Sequence, residues 1–357
     1  MQKSEKKTSF AALLAATVLF AVAAPASFAL GGSDGKTEAI LDDSRFMLDT
    51  IVSIRLYGSD DETALEGAFG VIEDYENLLS RHRVGSDVSR INDAPAGTAV
   101  PAAPETLEVL GFALKYADLS GGAFDPTVGP LVDLWGIGTD AARVPEPEEI
   151  DRVLGRIDYR QVSMDAEGGT VALGRPGMSL DLGGVAKGWI ADETARYLRG
   201  EGQGHFLINL GGNILVSGGK PDGKPFRIGM QDPYGETGRY LGIFEVSDRA
   251  VVSSGVYERF FEQDGIRYHH ILNTKNGYPV RNGLAAVTVL TSLSADGDAL
   301  STTLFALGLE EGSALARGLD DVEAAFITED GAVYMTEGAA AIFEPTVPGL
   351  EVEVLRD

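Results

Sequence analysis

The chain has 357 residues, 44% of them hydrophobic, enough for one large domain or two smaller ones around a substantial core. Its formal charge of −25 argues against a nucleic-acid backbone as partner. It has no cysteine, which excludes disulfides, thiolate zinc sites, cysteine nucleophiles and a lipid anchor on a cysteine.

The first residues, MQKSEKKTSF, are basic; AALLAATVLFAVAA is apolar, and PASFALGG follows. A basic stretch, a short apolar stretch and small residues at a cleavage point are the parts of an export signal, so residues 1–29 are expected to be a signal peptide. Cleavage after Ala29 fits, and after Ala26 is the alternative. The apolar stretch is short for a membrane span. Residues 30–45 are polar and Gly-rich and are expected to be a flexible lead-in. Residues 46–357 are expected to form the working domain, exported, soluble and free of a transmembrane helix.

DTIVSIRLYG alternates and reads as a strand. Ser59 and Glu62 have capping-box spacing ahead of an apolar helical stripe at Leu65, Ala68, Val71, Ile72, Tyr75 and Leu79. A second helix is expected from Pro104 to Leu119, stopped by Ser-Gly-Gly, and a third opens at PEPEEIDRVLG. TVALG and MSLDLGG read as short strands, VAKGWIADETARYLRG as a helix. HFLINLGGNILVSGG, FRIGMQ, LGIFEVS, AVVSSGVYERFFE, RYHHILN and AAVTVLT read as strands, and SADGDALSTTLFALG as a further helix. Strand clusters with a few interleaved helices, and no regular βα alternation, indicate an α+β fold. One compact catalytic domain is expected, with room for two lobes, mixed or antiparallel sheets and flanking helices.

Four segments carry chemistry. In SADGDALSTTLFALG, Asp298 and Thr302 are four residues apart, which puts a carboxylate and a hydroxyl on one helix face. Two such oxygens are half of a hard-cation site; a helix cap and a back-bonded threonine are the plainer reading. In SLDLGGVAKGWIAD, Asp181 precedes a glycine turn, and Lys187 falls in the first turn of a helix. A cation is misplaced there unless an anion is close by. GGAFDPTVGPLVDLWGIG reads as a loop with its own packing, in which Asp125 either bonds a ligand or makes an Asx-turn before Pro126. In RYHHILNTKNGYPV, His269 and His270 face opposite sides of a strand end, where a general base is often displayed; geometry decides between them.

Together with INLGGNILVSGG and SSGVYERFFE, these segments occur in the order found in the ApbE family, the flavin transferases or FAD:protein FMN transferases. LDTIVSIRLYG and SRHRVGSDVSRIN resemble its early blocks, so the resemblance runs from about Leu48 to Gly308. It implies an α+β fold that takes FAD as substrate, uses Mg²⁺, and moves FMN onto a Thr or Ser hydroxyl of a target flavoprotein, releasing AMP. The implied acceptors are Nqr- or Rnf-type subunits or extracellular flavin reductases. By position, the resemblance implies Asp298, Thr302 and the main-chain carbonyl of Gly184 as metal ligands. It implies His270 as catalytic base. The implied FAD contacts are Leu48, His82, Ala123, Phe124, Asp125, Asp181, Lys187 and Leu272. Leu48 stands where the family commonly has methionine, and His82 where it has tyrosine. Asn273, Thr274, Asn276 and Val256 also depart from the usual residues. Two other readings remain: a magnesium-dependent FAD pyrophosphatase yielding FMN and AMP, and a non-catalytic exported FAD-binding protein.

Overall fold

The computed structural model describes residues 39–236 and 238–356. The expected signal peptide therefore lies outside the described residues. The first strand, β1 (Ile40–Met47), pairs antiparallel with β2 (Thr50–Tyr57) through a two-residue turn, Leu48-Asp49. Both turn residues have positive φ, 54° and 56°, as a type I′ hairpin requires. Residues 40–45, expected to belong to the flexible lead-in, instead lie in β1; they bury no apolar stripe, and ladder hydrogen bonds with the Arg45–Asp43 and Arg55–Asp42 ion pairs hold them.

Helix α1 (Glu62–Leu79) is capped by Asp61, whose carboxylate accepts from the Thr63 and Ala64 amides at 3.0 Å. Ser59, the expected cap, instead accepts from the Asp61 amide. The chain continues through α2 (Asp87–Asp93), β3 (Val100–Pro101), α3 (Pro104–Leu119), α4 (Gly129–Trp135), α5 (Pro147–Leu154), β4 (Val162–Asp165) and β5 (Thr170–Leu173). MSLDLGG, expected as a strand, makes only a single parallel bridge, Ser179 to Val128. Its other polar groups bond outside any ladder: Asn92 both donates to the Leu180 carbonyl and accepts from its amide, and the Asp181 amide donates to the Pro126 carbonyl.

Next come α6 (Ala186–Gly200), β6 (Phe206–Leu210), β7 (Asn213–Ser217), β8 (Phe226–Gln231), β9 (Tyr240–Val246) and β10 (Arg249–Gly255). A turn separates β10 from the hairpin β11 (Phe260–Gln263) and β12 (Ile266–His269), so the expected strand over residues 250–262 is two strands. The rest is β13 (Leu284–Thr291), α7 (Ser294–Arg317), β14 (Glu323–Thr328), β15 (Val333–Thr336), α8 (Glu337–Ala341), β16 (Phe343–Pro345) and β17 (Val352–Leu355).

Nine strands form the central sheet, in the order β1-β2-β6-β7-β10-β13-β14-β15-β17, with only the β15–β17 pair parallel. One face carries α1, α6 and α7: Val52, Ile54 and Leu56 of β2 meet Phe69 and Ile72 of α1 and Ile190 of α6. The other face carries the small sheet β16-β9-β8, through Phe226, Ile228 and Phe244. β13 lies between the layers, and all eight of its residues are buried, which explains its unbroken apolar run. A satellite core of Leu131, Trp135, Ile150, Val153 and Leu272 joins α4 and α5 to the chain after β12. The α+β class is as expected. Three pieces of chain reach the space beside the satellite core: the 120s segment, the Gly183-Gly184 turn and the start of α7.

Candidate active site

Helices α6 and α7 cross at unusually close range. A Cβ at Gly188 would lie 2.3 Å from the Ser294 carbonyl and 2.7 Å from the Ala295 Cα, so only glycine permits this approach. The closeness lets the Gly188 amide donate to Asp298 Oδ2 at 2.9 Å. Asp192 of α6 adds a second tie, accepting from the Ser294 and Ala295 amides at the open end of α7. Asp298 is 4% exposed, and its other oxygen lies 3.5 Å from Lys187 Nζ. Lys187 also donates to the Gly183 carbonyl at 2.9 Å. The anion that justifies a lysine at this helix start is therefore Asp298.

Thr302 lies one turn beyond Asp298, with its hydroxyl 3.4 Å from Ser254 Oγ of β10. The Gly184 side of the glycine turn faces it: a Cβ there would be 3.7 Å from Thr302 Oγ1 and 2.9 Å from the Phe124 ring. Asp298, Thr302, Gly184, Lys187 and Phe124 thus form one cluster. The plainer reading of Asp298, a helix cap, fails because its carboxylate serves α6 rather than its own helix.

Asp181 joins this cluster through the Gly183 amide, which donates to its Oδ1 at 2.8 Å. Its other oxygen receives Arg81 at 2.9 Å, and the same guanidinium reaches Asp133 at 2.7 Å. Arg81 is one residue from the expected contact His82, whose side chain is exposed. Arg81 and Asp181 are 100 positions apart, and no local pattern connects them.

Asp125 settles into the Asx-turn alternative. One oxygen accepts from the Thr127 amide and hydroxyl, the other from the Tyr159 amide, and burial pushes its pKa up. Its carboxylate is fully engaged by the protein. Ala123 and Phe124 sit in a tight turn closed by the Ser120 carbonyl and hydroxyl. Leu272 is 7% exposed in the satellite core, so its side chain is packing. The Leu48 amide donates to Glu76 in the β1–β2 turn, and neither Leu48 nor His82 bonds to any member of the cluster.

The two histidines separate as alternation requires. His269 is 4% exposed, bonds the Val280 carbonyl through Nε2 at 2.8 Å, and stands edge-on to Phe305. It is a packing residue. His270 faces the cleft, with about a third of its side chain (34%) open to solvent. Its position is fixed by its amide, which bonds the Arg259 carbonyl at 3.0 Å, and by two ties across the loop. Thr274 donates to the Gly122 carbonyl at 2.5 Å, and Trp135 Nε1 to the Gly277 carbonyl at 2.7 Å. The surrounding protein, then the charges of Arg259 and Lys187, hold the imidazole pKa down at about 3, so it is neutral at pH 7. Glu258 Oε2 lies 3.9 Å from its Nε2.

A model of the ApbE family matches residues 48–326. The chain belongs to the ApbE family. It is 36% identical over 309 residues to the FAD:protein FMN transferase of Klebsiella pneumoniae, covering 87% of this chain and 96% of that one. It is 37% identical over 327 residues to the FAD:protein FMN transferase of Treponema pallidum, covering 86% and 90%. Its fold matches the ApbE protein of Thermotoga maritima with a TM-score of 0.79 at 30% identity, covering 85% of this chain and 99% of that one. The flavin transferase ApbE of Vibrio cholerae matches with a TM-score of 0.77, also at 30% identity and the same coverage. The chain is therefore an enzyme of the ApbE family, and the cluster of Asp298, Thr302, Gly184 and Lys187 with the half-open His270 is its candidate active site.

Proposed function

We propose that this ApbE enzyme transfers FMN from FAD to a Thr or Ser hydroxyl of an extracytoplasmic flavoprotein, with release of AMP. The observation that carries the reading is the convergence of Asp298, Thr302, the glycine turn and Lys187 opposite a neutral His270. The relatives named above support it.

The reaction needs a hard cation beside the pyrophosphate, and the donor set here fits one: a buried carboxylate, a hydroxyl and a main-chain carbonyl, all oxygen. Lys187, 3.5 Å from Asp298, already marks where positive charge is favoured. Asp298, Thr302 and the Gly184 carbonyl would hold Mg²⁺. When bound, the ion neutralises pyrophosphate charge and orients its oxygens.

The chain's own residues do the rest. Lys187 opposes charge developing on the phosphates. Asp181, held by Arg81 and the Gly183 amide, keeps the glycine turn in place for the ligand. His270 accepts the proton of the acceptor hydroxyl at Nε2, the ring nitrogen left open to the cleft. Two phosphate charges entering the cleft would oppose the effect of Arg259 and Lys187 and raise the imidazole pKa toward neutrality. Export is part of the proposal and rests on the signal-like segment at residues 1–29. Among the described residues no helix is long and apolar enough to cross a membrane.

The test is incubation with FAD, magnesium and an extracytoplasmic acceptor domain, read by intact mass. A gain of one FMN residue per acceptor with stoichiometric AMP is expected. AMP without a mass gain on any acceptor would make the enzyme an FAD pyrophosphatase, and FAD bound with neither product would make it a carrier.

A further inference from the structure

Glu258 has no role in the reading above. It lies in the turn between β10 and β11, and that turn is anchored at both ends. The Val256 amide bonds the Ala285 carbonyl, and the His270 amide bonds the Arg259 carbonyl, each at 3.0 Å. The backbone therefore holds Glu258 and His270 side by side. Glu258 Oε2 lies 3.9 Å from His270 Nε2, and about a third of each side chain is open to solvent. That is one bridging water, or a small rotation, from a hydrogen bond. Among the described residues, no lysine or arginine forms an ion pair with Glu258.

The two imidazole nitrogens differ. Nδ1 is buried and has no hydrogen-bond partner. A carboxylate that merely orients a catalytic histidine bonds the nitrogen away from the substrate. Here the carboxylate lies beside the open nitrogen, the one that meets the acceptor hydroxyl.

We propose that Glu258 is the proton-receiving partner of His270, a residue that acts through the imidazole by taking its proton after transfer. This rests on the function proposed above. The acceptor O–H bond breaks and its proton goes to His270 Nε2. The acceptor oxygen bonds the FMN-side phosphorus as the bond from that phosphorus to the AMP oxygen breaks, and AMP leaves with the electron pair. The proton then passes from Nε2 to the Glu258 carboxylate and on to solvent.

The charges around the pair explain the need. Arg259 of the same turn, His269 of β12 and Lys187 of α6 all disfavour an imidazolium, while Asp298 of α7 disfavours ionised Glu258. Burial, with a smaller push from Asp298, raises Glu258 to about 7 against the pull of Lys187 and Arg259, so it can both take and release a proton near neutrality.

The test compares Glu258→Gln and Glu258→Asp with the full enzyme. Glu258→Gln is expected to lower kcat by about 10- to 100-fold, the range of a lost proton-transfer partner, with the KM for FAD within about twofold. Glu258→Asp should recover part of the loss, and the acid limb of the pH–rate profile should move to lower pH in Glu258→Gln. A second readout needs no activity: in the free protein the His270 ring resonances, followed by NMR, should shift as the neighbouring Glu258 titrates near neutrality, and this shift should vanish in Glu258→Gln. The same pH dependence of the His270 resonances in Glu258→Gln, or wild-type kcat and pH profile, would overturn the proposal. A His270 shift that follows Glu258 in an enzyme that transfers no FMN would leave the Glu258–His270 pair standing and refute the proposed reaction instead.

Discussion

The contact between α6 and α7 makes Gly188→Ala the sharpest test of how the site is built. The added methyl would meet the Ser294 carbonyl at 2.3 Å and Asp298 Cβ at 2.7 Å. Ordinary carbon contacts lie about 1 Å further out, so the helices must part by roughly that distance. Such overpacking costs about 1–3 kcal/mol. Parting also stretches the 2.9 Å bond from the Gly188 amide to Asp298, and a buried hydrogen bond to a charge contributes about 1.5–3 kcal/mol. The sum, about 2.5–6 kcal/mol, corresponds to a Tm lower by about 4–9 °C for a domain of this size. Because Asp298 and Lys187 move with their helices, the rise in Tm expected of the wild type on adding magnesium and FAD should shrink in the variant. Differential scanning calorimetry with and without the two ligands measures both effects. The control is Gly184→Ala, whose methyl meets only the edge of the Phe124 ring at 2.9 Å; it should lower Tm by at most about 2 °C and keep magnesium binding, since a main-chain carbonyl survives the substitution. A Gly188→Ala enzyme with wild-type Tm and wild-type ligand response would show that the close crossing does not position Asp298.

Arg81→Ala removes the clamp on Asp181 and leaves that carboxylate with only the Gly183 amide; fluorescence titration should show FAD binding weakened by about 10- to 100-fold, the worth of a lost charge-assisted hydrogen bond. Asp298→Ala should abolish FMN transfer and the calorimetric signal of magnesium binding while leaving the fold intact, and full flavinylation of an acceptor by this variant would refute the metal site. Chelation of magnesium should stop transfer by the wild type, with recovery on adding the ion back. Asp49→Gly replaces a residue held at a φ of 56° by one that adopts it freely; urea unfolding should show a gain of about 0.5–1 kcal/mol, and a loss would mean that the Asp49 side chain is needed in the turn.

The elements legible in the sequence are those whose signal is local. Pro147 at the start of α5, the apolar stripe of α1, and the doubly buried run of β13 each carry their pattern within one segment. So does the Asp298/Thr302 spacing, though its meaning required the other motifs. What escaped reading depends on partners far along the chain. Ser179–Leu182 looks like a strand, but its neighbours are the 120s turn and Asn92, so it makes one bridge rather than a ladder. Arg81 sits in a charged surface-like run, and only the fold brings Asp181 and Asp133 to it. Glu258 reads as one charge among several in VYERFFEQD, and the turn after β10 gives it a histidine neighbour. Asp125 is the reverse case: its local Asx-turn was visible as an alternative, and that alternative takes up the whole carboxylate.

The charges of the cleft bear on why an ion is proposed there at all. FAD brings a doubly charged pyrophosphate to a chain of net charge −25. At physiological salt the Debye length is about 8 Å, so distant carboxylates are largely screened and the local groups decide. Locally, Lys187 is already matched by Asp298, and Arg81 by Asp181 and Asp133. Arg259 is offset by Glu258 whenever that carboxylate is ionised. The protein alone therefore presents no surplus of positive charge to the phosphates. A divalent cation between Asp298 and Thr302 would supply it, and would free Lys187 from Asp298 to turn toward the ligand. On this argument the proposed ion has a local electrostatic reason: the charged pairs around it balance one another, and a bound cation would supply the positive charge that the anionic substrate calls for.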